Sequence, residues 1–303
     1  MHINEEFITS HYLMHSCGYP RITAMLEAGG TPCDKEIPSG VDLQYLHAGQ
    51  LLTMQAKLAA SSSSEYNPFS ELPEGTIPVF NITGLMTKYS GYDDNWRWHI
   101  GMDVIAGWIR QASESDNVSG IIVRANTPGG TTTSLIQLEA AIRACTKPNV
   151  MLIDGQLASA GIYFGSFFER ILAENKMCEI GSIGAVGSIV DMRKAAENKG
   201  IVVREIYPPE SKYKNLTHRE ALDGDDQRMI DEVLTPLALH FQNIIKKNRK
   251  KIDLSVDGIL EGRMFYADDA IKYKLIDGYG TLQDAIAYIN DTANTRKSVS
   301  TIF

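Results

Sequence analysis

The sequence predicts an α/β protein built around a largely parallel sheet. Short apolar runs that suit buried strands alternate with segments whose apolar residues recur every three or four positions, as in amphipathic helices. The composition, 44% hydrophobic and 22% charged over 303 residues, is typical of a globular protein with one large domain or a domain with an appendage. Alternation of strands and helices favours a parallel sheet with helices packed on it.

The first part of the chain is predicted to be helical. Residues 41–60 (VDLQYLHAGQLLTMQAKLAA) carry apolar side chains at three- and four-residue spacing, and the serine run at 61–64 is typical of a linker. We therefore predict a helical N-terminal region with its linker over residues 1–72 and a main domain over 73–290. The polar residues that remain, 291–303, are predicted to form a flexible tail.

Strands and helices alternate in the main domain. Each predicted strand is a short run of mainly apolar residues, and each predicted helix has helical apolar spacing. In chain order they are a strand at 77–84, a helix at 103–115, a strand at 118–127, a helix at 135–145, a strand at 149–155, a strand at 201–207 and a long helix at 225–251.

Charge, cysteine use and hydropathy exclude several classes of protein. The net charge of −8 argues against a nucleic-acid-binding surface. The N-terminus has no signal-peptide pattern, and no run of 18 apolar residues occurs, so we expect no membrane span and a cytoplasmic location. The four cysteines lie far apart, which indicates a reducing compartment and buried, inert thiols. No metal-ligand constellation or nucleotide motif is visible, so we expect no cofactor.

Three breaks rich in small residues follow predicted strands, where active sites of α/β proteins gather. The first is TPGG (127–130), in which the Gly130 N–H could point at a ligand as half of an oxyanion hole. A plain turn is the alternative. The third, residues 179–187 (EIGSIGAVG), suits closely packed backbone, and its spacing does not fit a dinucleotide-binding loop.

The second break contains Ser159. Its small neighbours, in the sequence LASAG (157–161), would leave the hydroxyl accessible at a helix start, with the Ala160 N–H free to join that of Gly130 over a substrate carbonyl. A helix N-cap is the alternative function for this serine.

A nucleophilic serine needs a base. None of the seven histidines stands out, although His99 and His218 remain open as partners. Lysine is the other choice, provided that burial beside the serine lowers its pKa toward about 7–8. Lys212 and Lys214 follow the predicted strand at 201–207, where a chain reversal could return them to the site, and the alternative for both is an exposed surface lysine.

Five motifs in order resemble the Ser/Lys signal peptide peptidase A family, and most closely its bacteriophage branch, the capsid-assembly (prohead) proteases. They are TPGG (127–130), ASAG (158–161), GSIGAVG (181–187), KYK (212–214) and GRMFYADDAIKYKLIDGYGTLQDAI (262–286). The resemblance covers about residues 76–288. It implies a Clp protease/crotonase-like core that assembles into homo-oligomeric rings.

The resemblance also implies residue roles in amide hydrolysis through an acyl-enzyme. Ser159 is the implied nucleophile and Lys214 the general base, with the Ser182 hydroxyl orienting the lysine. The N–H groups of Gly130 and Ala160 form the implied oxyanion hole. The family's membrane enzymes have glycine before the Tyr-Lys pair, where this chain has Ser211 and Lys212, so Lys212 is the alternative base.

The absence of a membrane anchor favours the phage branch, with capsid or scaffold proteins as substrates, over a cytoplasmic relative of the signal peptide peptidases. Two further alternatives stay open. One is a crotonase-like enzyme acting on acyl-CoA thioesters, and the other is a catalytically idle scaffold that uses the ring as an assembly platform.

Overall fold

The computed structural model describes residues 12–14, 40–57, 67–92, 98–191, 193–202 and 204–300. Its strands are β1 (Tyr12–Met14), β2 (Gly40–His47), β3 (Gln50–Lys57), β4 (Ile77–Thr83), β5 (Gly91–Tyr92), β6 (Trp98–His99), β7 (Ile121–Thr127), β8 (Gly129–Thr131), β9 (Asn149–Ala158), β10 (Arg170–Ala173), β11 (Glu179–Gly181), β12 (Met264–Tyr266) and β13 (Gly278–Tyr279). Its α-helices are α1 (Met102–Glu114), α2 (Leu135–Ala144), α3 (Ala160–Gly165), α4 (Arg193–Asn198), α5 (Leu216–Leu222), α6 (Gln227–Met229), α7 (Thr235–Asn248), α8 (Ala267–Lys272) and α9 (Leu282–Ser300).

Within the described residues, nine strands form the main sheet. Seven of them follow the order β12-β11-β9-β7-β4-β2-β3, and the other two lie beside this path, where β10 pairs with β9 and β13 pairs with β10. Strands β4, β7 and β9 run parallel, and β9 is flanked on its other side by β10 along its first half and by β11 along its second half. The carboxyl ends of β7, β9 and β11 therefore meet at one edge of the sheet. The α/β class predicted from the sequence is confirmed.

Helices cover both faces of this sheet because its central strands are apolar on both sides. Along β9, Met151 and Ile153 face the larger core, which α1, α2, α3 and α7 complete, whereas Val150 and Leu152 face a smaller core under α9. The sequence predicted these buried strands as continuous apolar runs, and the structure confirms them. It also confirms the helices at 103–115 and 135–145. The long helix predicted at 225–251 is present as three consecutive segments, namely α6, a π-helical turn (Ile230–Leu234) and α7.

The helical prediction for residues 41–60 is wrong over 41–57, the part of this range that the structure describes. Strands β2 and β3 form an antiparallel hairpin there, closed by Ala48 and Gly49, which both have positive φ as a tight two-residue turn requires. Leu43 contributes to the larger core and Leu46 to the smaller one. Leu43 and Leu46 are three positions apart, a spacing that is also typical of one face of a helix. In the strand they lie on opposite faces of a sheet that is buried on both faces, so the same spacing arises without a helix. The linker at 61–64 lies outside the described residues.

Two other predicted elements are wrong. The described part of 201–207 contains no strand, and its apolar side chains are exposed, with Val202 78% and Ile206 82% accessible. The expected frayed tail is helical as far as Ser300, because Arg296 in α9 donates to the Thr146 carbonyl and to Glu169. The division of the chain at residue 72 stays a prediction.

Among the described residues, the structure contains no helix that combines the length and apolarity needed to traverse a bilayer.

Candidate active site

Ser159 stands at the junction between the end of β9 and the start of α3. Its φ of +52° and ψ of −117° are rare for a residue with a side chain. The side chain is fully buried, and its Oγ has no hydrogen-bond partner among the described residues. An N-cap would accept from the following turn, but the Ser159 side chain makes no capping bond. The helix-cap alternative is therefore not what the structure contains.

Such a strained strand-to-helix turn is one known way to present a nucleophile. In α/β-hydrolases the nucleophilic serine occupies a sharp turn between a strand and a helix. Backbone strain of about 1–3 kcal/mol persists only where the surroundings enforce it, and it concentrates at functional sites. Here the Ser159 N–H donates to the Gly181 carbonyl at 2.9 Å, and the Ser159 carbonyl accepts from the Tyr163 N–H at 3.0 Å.

Ser182 lies on the neighbouring strand end. Strand β11 pairs with β9 so that Gly181 is opposite Ala158, which places Ser182 and Ser159 at adjacent strand ends. Ser182 has a φ of +56°, and its N–H donates to the Arg263 carbonyl at 3.1 Å. The third small-residue break thus begins at the same edge as Ser159. The predicted close backbone packing is present at Gly181, where a Cβ would lie 2.3 Å from the Arg263 carbonyl oxygen, and absent at Gly184, where a Cβ would meet no atom within 4 Å.

Gly130 lies on the other side of Ser159, in β8. A Cβ at this position would lie 1.9 Å from the carbonyl oxygen of Met86, so only glycine fits between these backbones. Helix α3 packs against β8, and a Cβ at Gly161 would lie 2.7 Å from Thr127 Cγ2. The structure therefore brings the first and second breaks together, with Ala160 and Gly130 on contacting elements.

Thr127 fixes the turn between β7 and β8. Its side chain is buried, its hydroxyl donates to the Gly84 carbonyl at 2.6 Å, and it accepts from the Gly129 N–H at 3.1 Å. Gly129 has a φ of +101°, which favours glycine. The TPGG motif is a turn with a specific shape, which sets the direction of β8.

The two candidate lysines lie on an exposed turn before α5. The Lys214 N–H donates to the Ser211 carbonyl at 2.9 Å, and its side chain is exposed. Lys212 Nζ lies 4.9 Å from the centre of the Tyr213 ring. Since Ser159 Oγ has no partner within the described part of the chain, neither lysine is hydrogen-bonded to it in this structure.

The histidines that remained open as bases have other environments. His99 Nε2 lies 2.8 Å from the Thr87 hydroxyl, and His218 is exposed on α5. His240 Nε2 lies 3.1 Å from the Tyr163 hydroxyl.

Two of the four cysteines, Cys145 and Cys178, lie in the described part of the chain. Cys178 is buried and Cys145 is partly buried, and burial raises the pKa of both thiols. The predicted burial is confirmed for Cys178. A raised pKa favours the less reactive protonated thiol, and the inertness of both cysteines stays a prediction. Cys17 and Cys33 lie outside the described residues.

Sequence reasoning missed two features of the site. Met86 supplies the backbone against which Gly130 packs, and nothing in the local sequence marks it. Tyr163 links three helices, because its hydroxyl donates to Glu139 Oε2 in α2 at 2.6 Å and contacts His240 in α7. Both contacts join residues that are distant in the sequence. Within the described ranges, no group of three or more potential ligands is placed to hold a metal ion.

Known proteins resemble this chain in sequence. Protease 4 from Salmonella typhi is 27% identical over 226 residues, which are 74% of this chain and 35% of that protein. Putative protease MJ0651 from Methanocaldococcus jannaschii is 25% identical over 60% of this chain and 58% of its own. Capsid assembly protease C from Escherichia phage lambda is 22% identical over 73% of this chain and 50% of its own. The chain thus spans about a third of the length of Protease 4.

Among solved structures, a mutant of the 1510-N membrane-bound stomatin-specific protease aligns with this chain. It has 17% identity and a TM-score of 0.46, over 72% of this chain and 86% of that one. An enoyl-CoA hydratase/isomerase family member has 16% identity and a TM-score of 0.39, over 74% and 72% of the two chains.

A family model matches residues 141–296, about half of the chain, and the matched segment includes Ser159, Ser182 and Lys214. The chain therefore belongs to peptidase family S49.

Proposed function

We propose that this chain is a serine endopeptidase in which Ser159 is the nucleophile and Lys214 the general base. The observation that carries the proposal is the buried Ser159, with positive φ and an unpartnered Oγ at a strand end. A polar atom that is buried without a hydrogen bond is costly, by about 1–3 kcal/mol, and calls for a functional explanation. Family membership supports peptide-bond hydrolysis as that explanation.

In the proposed reaction, Ser159 Oγ attacks the carbonyl carbon of a peptide bond while Lys214 accepts its proton. The N–H groups of Gly130 and Ala160 donate to the oxyanion, and Ser182 orients the lysine. The lysine then passes the proton to the leaving amine, and the remaining acyl-enzyme is hydrolysed by water. The packing of α3 on β8 supports the pairing of these two N–H groups.

The proposal requires the turn that carries Lys214 to approach Ser159. Val202 and Ile206 precede this turn and are exposed, so closure of the segment 201–215 onto the sheet edge could bury apolar surface. Burial of that kind is favourable by about 25 cal/mol per Å². This closure belongs to the proposed mechanism, in which it would complete the dyad.

The substrate class is a finer part of the same proposal. We infer that unfolded segments of capsid or scaffold proteins are the substrates, because the lambda capsid assembly protease resembles this chain over 73% of this chain and 50% of its own length. A homo-oligomeric ring and a cytoplasmic site of action complete the proposal. The ring derives from the family resemblance, and the four widely spaced cysteines, which are typical of a reducing compartment, support the cytoplasmic site.

The proposal is tested with wild type and the variants Ser159→Ala, Lys214→Ala and Lys212→Ala. Each is incubated with an unfolded protein, a signal peptide and a phage capsid protein, and new termini are identified by mass spectrometry. We expect Ser159→Ala and Lys214→Ala each to lower cleavage by about 10³-fold or more, since loss of either member disables the pair. Lys212→Ala is the matched control, because it removes an exposed lysine from the same turn.

Two outcomes contradict the assignment. Normal cleavage by Lys214→Ala, with loss in Lys212→Ala, would transfer the role of base to Lys212. Cleavage that survives Ser159→Ala would exclude Ser159 as nucleophile. Circular dichroism of each variant shows whether a loss of activity reflects unfolding.

A further inference from the structure

Strand β1 covers the edge of β8, the strand that carries Gly130. Residues Tyr12–Met14 pair antiparallel with Gly129–Thr131, and Leu13 is opposite Gly130. In this way a segment more than a hundred residues away in the sequence reaches the edge beside Ser159. Its position suggests a role in controlling access to the site.

The hydrogen bonds of β8 show which of its polar groups face β1. The Met86 N–H donates to the Gly129 carbonyl at 2.9 Å, and the Thr131 N–H donates to the Met86 carbonyl at 3.0 Å. Backbone groups alternate in direction along a strand, so the N–H and carbonyl of Gly130 face the opposite side, where β1 lies. Leu13 and Gly130 thus form a hydrogen-bonded pair of the antiparallel ladder.

This pairing conflicts with catalysis at the same position. In the proposed function the Gly130 N–H donates to the oxyanion, yet in the pair it donates to the Leu13 carbonyl. One N–H cannot fully serve both acceptors. An extended peptide that pairs with β8 would also need the backbone groups that β1 occupies, because addition of a strand to a sheet edge uses the edge's own N–H and carbonyl groups.

We propose that the edge of β8 binds extended polypeptide and that the chain's own segment Tyr12–Met14 occupies it as an intramolecular competitor. The inference rests on the proposed function for its consequence, namely that the segment must leave before another peptide is cut. The pairing is short, with three residue pairs. A competing peptide can therefore displace it.

The test uses the full-length chain with Ser159→Ala, so that occupancy is measured without turnover. Leu13→Pro removes the N–H that donates to Gly130, and proline is poorly tolerated in a paired strand. Met14→Pro is the matched control, because the residue 14 N–H points away from β8. The probe is a fluorescein-labelled peptide of residues 8–18 carrying Cys17→Ser. Its binding is followed by fluorescence anisotropy, and hydrogen exchange reports the Gly130 amide.

We expect Leu13→Pro to bind the probe about tenfold more tightly than the Ser159→Ala parent, since one net hydrogen bond is lost from the competitor. The Gly130 amide should exchange faster in Leu13→Pro and at the parental rate in Met14→Pro. Equal probe affinity and equal exchange in all three proteins would overturn the inference.

Failure of the inference and failure of the proposed function give different results. If the wild type cleaves substrates while Leu13→Pro alters neither probe binding nor exchange, the peptidase proposal stands and the intramolecular competitor is rejected. If Leu13→Pro has both expected effects but no variant with an intact Ser159 cuts peptide, even with Leu13→Pro, the binding edge stands and the peptidase proposal fails.

Discussion

Gly130 is the residue at which the geometry of the site is least tolerant of change. The nearest atoms to a Cβ at this position are backbone atoms of Met86, at 1.9 to 2.7 Å, and they cannot rotate away as a side chain could. We expect Gly130→Ala to lower the free energy of unfolding by about 1–3 kcal/mol, as overpacking does. It should also reduce cleavage, because the strand that carries the proposed oxyanion donor must shift. Urea denaturation and peptide hydrolysis measure the two effects.

Gly107→Ala is the control for that substitution. Gly107 lies within α1, and the nearest atom to its added Cβ is Arg110 Nη2 at 3.9 Å. Alanine is favoured over glycine inside a helix by about 1 kcal/mol, so this variant should be as stable as the wild type or more stable. If both variants unfold at the same urea concentration as wild type, the close approach of β8 to Met86 does not require glycine at position 130.

At the scale of single residues, the sequence marks Ser159 and the glycines more clearly than the proposed base. Gly130, Ala160 and Ser159 occur in runs of small residues, and such runs mark places where backbones approach closely. Lys214 has no such marker. Its side chain is long and flexible and its surroundings are exposed, so nothing local distinguishes it from Lys212.

Helix α3 is held in place by a polar contact between helices. The Tyr163 hydroxyl donates to Glu139 Oε2 at 2.6 Å, and burial together with this hydrogen bond raises the pKa of Tyr163. The hydroxyl is therefore protonated, as a donor must be, at neutral pH. Tyr163→Phe should lower the free energy of unfolding by about 1–2 kcal/mol, because hydrogen bonds to charged groups are the stronger ones. Thermal or urea denaturation followed by circular dichroism checks this expectation.

A similar tyrosine near the surface provides the comparison. The Tyr288 hydroxyl of α9 lies 3.2 Å from Glu169 Oε2, a longer contact on an exposed side of the molecule. Tyr288→Phe should change stability by less than about 0.5 kcal/mol. Equal losses for the two phenylalanine variants would show that the Tyr163–Glu139 hydrogen bond contributes no more to stability than the exposed Tyr288–Glu169 contact.

Among the elements, the central strands and flanking helices were predictable and the peripheral segments were not. Strands β4, β7 and β9 are continuous apolar runs because helices cover both faces of the sheet. Residues 201–207 have equally good strand-forming composition but no neighbouring strand among the described residues, and strand propensity is expressed only where a partner exists. The end of α9 is stabilised by Arg296 through contacts more than 100 residues away, which no local pattern contains.

For the molecule as a whole, the hairpin β2–β3 decides how far the main sheet extends. It joins β4 by antiparallel pairing of Gln44–Leu46 with Ile77–Val79, on the opposite side of β4 from β7. Because Leu43 and Leu46 enter the two separate cores, the hairpin closes both faces at this edge. A helical appendage, as predicted from the sequence, would be dispensable for the stability of the main domain.

Leu43→Ala distinguishes an integral hairpin from a dispensable appendage. Leu43 is 2% exposed in the larger core, so we expect the free energy of unfolding to fall by about 2–4 kcal/mol in a single transition of the whole chain. Leu51→Ala is the matched control, since Leu51 lies on the same hairpin opposite Leu46 and is 48% exposed. That variant should differ little from wild type. If Leu43→Ala melts the hairpin in a separate early transition and leaves the main unfolding transition unchanged, residues 40–57 form an independent unit and the domain division at residue 72 is supported.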